Sequence, residues 1–330
     1  MNIAIIGATG LVGKEILKVL DSINISVTNI IPLASEKSKG EIVSFRDKEY
    51  IIDDLKNWKE YKIDYALFSA GGDISRQYIP LMIKENIVVI DNSSVFRMVK
   101  DIPLVVPCVN FTEETKKEKL IANPNCSTIQ MVVVLNELKK LANIKRVVVS
   151  TYQSTSGAGI KGIDELTHNT KERLNNTNNF STKVFKHNID ANCIPHIDVF
   201  ENNDYTKEEM KMINETSKIL NTEIPLTATC VRVPTFIGHC ESLNIEFDKS
   251  INIEEIKSIL SQNTEIVVQD NPELNEYPLN SYVEGCNKTF VGRIRKDYSL
   301  DNAINLWIVA DNLRVGAAYN AVNILKYLVN

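Results

Sequence analysis

Histidine is scarce in this 330-residue chain: His168, His187, His196 and His239 are all there are. A reaction that needs an imidazole has few to choose from. The six cysteines (Cys108, Cys126, Cys193, Cys230, Cys240 and Cys286) form no C-x-x-C pair, and His239-Cys240 has no second pair at zinc spacing. A metal site is therefore not expected, and a chain this long does not need disulfide staples. Reduced thiols and a cytoplasmic location are the natural expectation. No apolar run approaches the ~20 residues of a membrane span, and no basic n-region or cleavage site precedes the first strand pattern. The net charge is −5, and the lysines at Lys116, Lys117 and Lys119 are interleaved with glutamate. That excludes a basic stripe for nucleic acid and reads as a solvated face. There is no internal repeat or low-complexity tract. What remains is an ordinary globular composition, 44% hydrophobic, long enough for one large domain or two moderate ones.

Residues 2–6 are apolar enough for a buried strand; Gly7-Ala8-Thr9-Gly10-Leu11-Val12-Gly13 follows, then helical periodicity through Ile16, Leu17 and Leu20. A strand, a glycine turn and a helix in that order suit a dinucleotide: glycine admits the pyrophosphate and the helix start offers N–H donors. The spacing is GxxGxxG, not GxGxxG. Further strands are expected at 28–33, 42–45, 49–52, 64–69 and 87–91, with a helix near 74–85 that Pro80 bends or resets. This alternation predicts a doubly wound parallel sheet. After the second strand, Ser35, Lys37 and Ser38 suit the extra phosphate of NADP, while Glu36 opposes it and has to point away. The same string also reads as a plain polar turn.

Beyond residue 125 the texture changes. A β-branched strand at 144–155, a helix at 160–174, a loop at 175–193 and a helix at 206–220 are expected. Strands at 226–233, 240–248, 289–298 and 303–310 then point to a mixed sheet, and an apolar helix at 313–328 returns to the first domain. The predicted fold class is α/β: a Rossmann-type doubly wound sheet (1–125 plus 311–330) and an α+β domain with a mixed sheet (126–310).

The chemistry centres on Asn123-Pro124-Asn125-Cys126-Ser127-Thr128, just ahead of an apolar helical run. A sulfur at a helix N-terminus meets orphan N–H groups and the positive end of the dipole, which favour the nucleophilic thiolate. A buried structural cysteine is the alternative, but the polar neighbours argue against it. His239 lies between two strands close to Arg232, whose guanidinium suits a carboxylate. Gln153 ends a strand ahead of the small-residue loop Ser154-Thr155-Ser156-Gly157-Ala158-Gly159. Arg97 follows the strand ending at Asp91, at the carboxyl edge of the sheet, where an anion binds.

The ordered set GATGLVG, NSS-x-FRM, NPNCST, TYQ-x-x-SGAG, EEMKM and RVP-x-x-x-GH-x-E resembles the bacterial aspartate-semialdehyde dehydrogenase family, from residue 3 to the last helix. The resemblance implies an NADP-dependent enzyme that converts L-4-aspartyl phosphate to L-aspartate 4-semialdehyde through a cysteine thioester. It makes Cys126 the nucleophile, His239 the general acid/base and Gln153 the group that orients the acyl intermediate. Arg232 would hold the substrate carboxylate and Glu208 its amino group; Arg97, Asn125 and Lys211 would bind phosphate. Gly7, Thr9, Gly10, Leu11, Val12, Gly13, Ser35, Lys37, Ser38, Ser156, Gly157 and Asn312 would line NADP, with Lys37 standing where members often carry Arg. The implied partners are the small substrate and inorganic phosphate, in a homodimer or homotetramer built through the second domain. The nearest rival is N-acetyl-γ-glutamyl-phosphate reductase, whose cysteine usually follows Gly where Asn125 stands here. A non-catalytic NADP-binding homologue would lack Cys126 or His239, and both are present.

Overall fold

A computed structural model describes residues 1–177 and 179–330 as two compact units, Met1–Asn125 with Ala317–Asn330, and Cys126–Gly316. The first unit runs β1 (Asn2–Ile6), α1 (Leu11–Ser22), β2 (Asn29–Ala34), β3 (Ile42–Phe45), β4 (Lys48–Ile51), β5 (Asp53–Asp54), β6 (Tyr65–Phe68), α2 (Gly72–Lys84), β7 (Val88–Asp91), α3 (Pro107–Asn110) and β8 (Leu120–Ala122). Its sheet is all parallel, in the order β5-β2-β1-β6-β7-β8. Period-two alternation sends Ile3 and Ile5 to one face and Ala4 and Ile6 to the other. The first face packs on Leu17 and Leu20 of α1 and Leu325 of the C-terminal helix (Tyr319–Val329); the second packs on Ile79 and Met82 of α2. Apolar residues on both faces make these strands continuous hydrophobic runs, as a doubly covered parallel sheet requires. Pro80 sits inside α2 without ending it.

The strands expected at 42–45 and 49–52 do not join this sheet. They form an antiparallel hairpin, β3 with β4, of their own. Arg46 and Asp47 between them both have positive φ, 48° and 59°, as a two-residue hairpin turn demands. Two residues cannot make the crossover that parallel pairing needs. The outer edge of the sheet is instead the two-residue β5.

The second unit contains α4 (Cys126–Leu138), β9 (Ile144–Gln153), α5 (Ile160–Leu174), α6 (Lys207–Leu220), β10 (Leu226–Arg232), β11 (His239–Phe247), α7 (Ile253–Gln262), β12 (Ile266–Val268), α8 (Asn280–Val283), β13 (Thr289–Lys296) and β14 (Ala303–Ala310). The sheet is mixed, ordered β10-β9-β11-β14-β13-β12, with parallel pairs only at its two edges. Along β11 the odd positions 239–247 are buried, while Ser242, Asn244 and Glu246 are half-exposed on the opposite face. Nearly every residue of α4 is buried, so its polar members face protein. In this unit three elements were not anticipated: α7, β12 and the short α8. The last helix begins at Tyr319, preceded by a π-type turn at Arg314–Ala318, because the Asp311 carboxylate accepts the N–H groups of Leu313 and Arg314 and shapes the chain ahead of it. Among the described residues, no helix is long and apolar enough to cross a membrane.

The turn after β1 depends on close backbone contact. Gly7 has φ +85°, and a Cβ on Gly13 would lie 2.2 Å from the Gly7 carbonyl oxygen. Helix and turn therefore touch through backbone atoms that cannot yield as a side-chain tip can. Gly13→Ala should cost about 1–3 kcal/mol in urea unfolding, the usual range for overpacking. A variant as stable as wild type would show that the contact is relaxed in solution.

Candidate active site

In the first unit, the carboxyl ends of β1 and β6 flank the point where strand order reverses, the usual ligand position in open α/β sheets. A cleft of about 780 Å³ opens there, lined among others by Gly7, Thr9, Gly10, Ser35, Lys37 and Lys56. Gly10 caps α1 without a side-chain hydrogen bond, so the N–H groups of Leu11, Val12 and Gly13 meet no side chain from their cap. Uncapped N–H groups beside a glycine turn are what a pyrophosphate needs. Glu36 also lines this cleft, where its carboxylate pairs with Lys56 at 3.2 Å, and the pair is mostly exposed. Lys56, which sequence reasoning missed, adds a second cation beside Lys37. Ser38 Oγ reaches Thr9 Oγ1 at 3.5 Å. Arg97 and Asn125 are both buried, and Arg97 Nη2 donates to Asn92 O at 2.8 Å.

The second unit gathers most of the other predicted residues. Cys126 is the first residue of α4, as its sequence context predicts. On the helix-facing side of the sheet, Arg232 opposes Gln153 in the β10–β9 register. His239 lies one step beyond the Cys240–Tyr152 pair of β11 and β9. Gln153 Nε2 donates to Glu208 Oε1 at 3.2 Å, and Lys211 Nζ bridges Glu208 (3.1 Å) and Asp198 (2.8 Å). The i, i+3 spacing on α6 thus places Glu208 and Lys211 together. Burial pulls the Lys211 ammonium down, but the charges of Glu208 and Asp198 outweigh it and leave its pKa raised.

Arg232 and His239 are both held by the backbone of Ser154. Arg232 Nη1 donates to Ser154 O at 2.6 Å, and Ser154 N donates to His239 Nδ1 at 3.1 Å. The Arg232 backbone is fixed in turn by paired hydrogen bonds with Ile194, both 2.8 Å. Because Nδ1 accepts an N–H, the proton of the neutral ring belongs on Nε2. Full burial, then the Arg232 charge, lower the His239 pKa to about 3, so the ring is neutral at neutral pH. The site therefore offers an Nε2–H donor rather than a base. Nε2 has no hydrogen-bond partner among the described residues. The Arg232 guanidinium is also pulled down by burial, opposed by Glu208 and by Cys126 close by.

Small residues keep the site open. A Cβ on Gly157 would lie 2.8 Å from Arg232 Nη1 and 3.4 Å from His239 Nε2. A Cβ on Gly316 would lie 2.5 Å from that of Cys126. Asn312, expected along the cofactor, commits its side-chain oxygen within the protein. It accepts from Gly238 N (2.9 Å), Ser154 Oγ (3.1 Å) and Ser156 Oγ (3.2 Å), and so ties together the loops flanking His239. Ser156 is itself buried in that knot.

Besides Lys56, four contributors around Cys126 and His239 escaped sequence reasoning. Ser154 and Gly316 gave no distinguishing signal. Gln130, an amide within an apolar helical run, donates from Nε2 to His239 O at 3.3 Å. Glu241 belongs to the histidine string but had no role. It is fully buried, and burial, offset only in part by the neighbouring Gln130 amide, holds its carboxyl pKa well above the usual range. Neither of its oxygens has a hydrogen-bond partner among the described residues. No grouping of His, Cys, Asp and Glu among them could hold a metal ion, and no disulfide forms.

Comparison with known proteins gives concordant results. Residues 2–118 match the family model "semialdehyde dehydrogenase, NAD binding domain", and residues 135–315 match "semialdehyde dehydrogenase, dimerisation domain". The aspartate-semialdehyde dehydrogenase of Aquifex aeolicus is 49% identical, covering 99% of this chain and 98% of its own. That of Campylobacter jejuni is 48% identical, covering 98% and 96%. A crystal structure of aspartate semialdehyde dehydrogenase II from Vibrio cholerae, complexed with ASA, superposes with a TM-score of 0.96 at 44% identity, covering 99% of this chain and 98% of that one. The Candida albicans enzyme with NADP shares the fold at 22% identity, with a TM-score of 0.76 and coverage of 99% and 98%.

Two expectations follow from the geometry. Gly316→Ala should displace Cys126 and lower turnover by ~100-fold, the order expected for a shift of about 1 Å in a reacting group. Unchanged turnover would mean that Cys126 is not held by that contact. A carboxyl whose pKa is raised by folding keeps its proton in the native state above the unfolded pKa, so it lowers stability as pH rises through that window. Glu241→Gln should therefore unfold at a higher temperature than wild type at pH 8, with the gain gone by pH 4. A gain that is the same at both pH values, or a loss at pH 8, would mean that Glu241 is ionised in the fold.

Proposed function

The chain belongs to the aspartate-semialdehyde dehydrogenase family, and on that premise we propose how its residues carry the reaction: NADP-dependent interconversion of L-4-aspartyl phosphate and L-aspartate 4-semialdehyde. The observation that carries the reading is the backbone of Ser154, whose carbonyl and N–H hold a guanidinium and an Nε2–H imidazole near each other in the unit whose α4 begins at Cys126.

Cys126 is the nucleophile. Its thiolate adds to the acyl-phosphate carbon, the C–O bond to phosphate breaks, and a thioester remains on the sulfur. Bound NADPH supplies a hydride, which the thioester carbonyl accepts more readily than a carboxylate would. The thiohemiacetal oxyanion on Cys126 then re-forms its carbonyl and expels the thiolate, giving the aldehyde. No proton has to reach the oxyanion in this direction, so a neutral imidazole suffices: His239 Nε2–H stabilises developing charge by hydrogen bonding. Gln153 orients the acyl group from the adjoining strand. Arg232 binds the substrate α-carboxylate and Glu208 its ammonium, so a site built for paired charges rejects analogues lacking them. Lys211, Arg97 and Asn125 are assigned to phosphate. The cleft residues Thr9, Gly10, Ser35 and Lys37, with the α1 N-terminus, fit a dinucleotide phosphate; Lys37 and Lys56 favour the additional phosphate of NADP. The half-exposed face of the second sheet, around Tyr152 and Trp307, suits a homodimer, or a homotetramer built from it. The product feeds lysine (through diaminopimelate), methionine, threonine and isoleucine synthesis, in the cytoplasm.

The test is a substrate panel with phosphate present: aspartate semialdehyde against N-acetylglutamate semialdehyde, each with NADP and with NAD. Aspartate semialdehyde with NADP should be preferred, Cys126→Ala should be inactive but folded, and Arg232→Lys should lose ~100-fold in kcat/KM through the missing fork. Activity in Cys126→Ala, or preference for the N-acetylated substrate, would overturn the reading.

A further inference from the structure

The buried face of α5 carries Gly162, Glu165, Leu166 and Asn169, three or four residues apart. Through polar contacts it docks the chain between residues 181 and 190. The Glu165 carboxylate accepts from four donors. Its Oε2 takes Ser181 Oγ–H (2.9 Å) and the N–H groups of Lys183 (2.8 Å) and Val184 (2.9 Å), and its Oε1 takes that of Phe185 (2.9 Å). One turn on, Asn169 accepts from Ser181 N at 2.7 Å and donates to Ser181 O and Asn188 Oδ1, both at 2.9 Å. Thr170 donates to Asp190 at 2.8 Å, and Arg173 pairs with the same carboxylate. Three successive N–H groups on one carboxylate fix the backbone at 183–185, and with it the direction in which Phe185 leaves the chain.

Phe185 joins Leu166, Ile189 and Ile194 in a small apolar cluster. Its ring also lies against Arg232, 5.9 Å from guanidinium carbon to ring centroid, within reach of a cation–π contact. Both side chains are buried, where such a contact is strongest. Gly162 leaves room for the ring: a Cβ there would lie 3.2 Å from Phe185 Cζ and 2.4 Å from Thr155 O. The cluster reaches the Arg232 backbone as well, because Ile194 pairs with it through two hydrogen bonds of 2.8 Å. The guanidinium is thus held at Nη1 by Ser154 O and across its face by the Phe185 ring.

We infer that Phe185 is a positioning residue for Arg232, locked in place by Glu165, and that the pair sets how tightly the enzyme holds the α-carboxylate of its substrate. A carboxylate binds best to a guanidinium whose N–H edges are already fixed in one orientation. An aliphatic side chain at 185 fills the cluster but offers the cation no π face. The four donors account for an acid at 165: a carboxylate only accepts, whereas a glutamine amide turns one of its ends into a donor aimed at N–H groups. Neither Phe185 nor Glu165 touches the substrate in this role. The inference rests on Arg232 holding the carboxylate as proposed above.

The experiment compares Phe185→Leu, Glu165→Gln, their double variant, and protein carrying 3,5-difluorophenylalanine at 185, which keeps the ring's shape but weakens its π face. Kinetics are measured with aspartate semialdehyde, phosphate and NADP. Phe185→Leu should raise KM for the semialdehyde about 5-fold to 30-fold, with kcat and KM for NADP within about twofold. The fluorinated protein should fall between Phe185→Leu and wild type. Glu165→Gln should raise the same KM, and in the Phe185→Leu background it should add nothing. Wild-type KM in Phe185→Leu or in the fluorinated protein, a loss that falls equally on kcat and on KM for NADP, or additive losses in the double variant overturns the inference. Phe185→Leu leaves the Glu165 hydrogen bonds to the backbone intact, so its result stands whether or not Glu165→Gln folds. Nitrogen NMR of arginine-labelled protein supplies a readout independent of turnover. The Arg232 Nε–H signal should lose its ring-current shift in Phe185→Leu and be displaced or broadened in Glu165→Gln. An unmoved Arg232 signal in Phe185→Leu contradicts the inference even if the functional proposal fails. A wild-type enzyme without semialdehyde activity contradicts that proposal alone.

Discussion

The backbone of Ser154 is the constraint on which the rest of the second unit's chemistry depends. Its carbonyl accepts from the Arg232 guanidinium and its N–H donates to His239 Nδ1. Two consecutive peptide groups, joined at one Cα, therefore set the position of a cation and the tautomer of an imidazole. The strand register makes this possible, because Arg232, Gln153 and His239 stand on neighbouring strands at the same end of the sheet. Asn312 holds the arrangement from outside by tying Gly238, Ser154 and Ser156 to one oxygen. Gly157 leaves room that a methyl group would fill.

The electrostatics follow from burial. A guanidinium, an imidazole and two carboxyl groups, Glu208 and Glu241, are all nearly or fully enclosed. Each resolves the cost in its own way. Arg232 keeps its charge beside Glu208, Lys211 shares its charge with two carboxylates, and His239 and Glu241 shed theirs. A neutral donor is sufficient for a reaction whose oxyanion collapses by expelling a thiolate. In the proposed reaction the imidazole would serve as an oxyanion-hole donor rather than as the general acid/base that the family resemblance implies.

The parts of this arrangement that are local in sequence are legible there. The β1–glycine–α1 segment announces itself because its signals lie within twenty residues, and Cys126 at a helix start follows from its flanking residues. The 42–51 segment misleads because strand propensity does not say which partner a strand takes; the two-residue turn at Arg46-Asp47 decides that. The α7 helix is short and its apolar stripe rests on few residues, chiefly Ile256 and Leu260. Glu241 lies in plain view in the histidine string, yet its protonation depends on neighbours brought in by β9, β14 and α4. Asn312 is expected along the cofactor only through the family resemblance, and nothing in its local sequence announces the three hydrogen bonds that its side-chain oxygen accepts from Ser154, Ser156 and Gly238.

The central claim is that the Cys126 sulfur carries the acyl group. The direct measurement is mass spectrometry of the intact protein, and of its Cys126 peptide, after acid quench of enzyme mixed with aspartate semialdehyde and NADP in the absence of phosphate. The account predicts an aspartyl thioester on Cys126, discharged when phosphate is added. An unmodified Cys126, or an acyl group found on another residue, would contradict it.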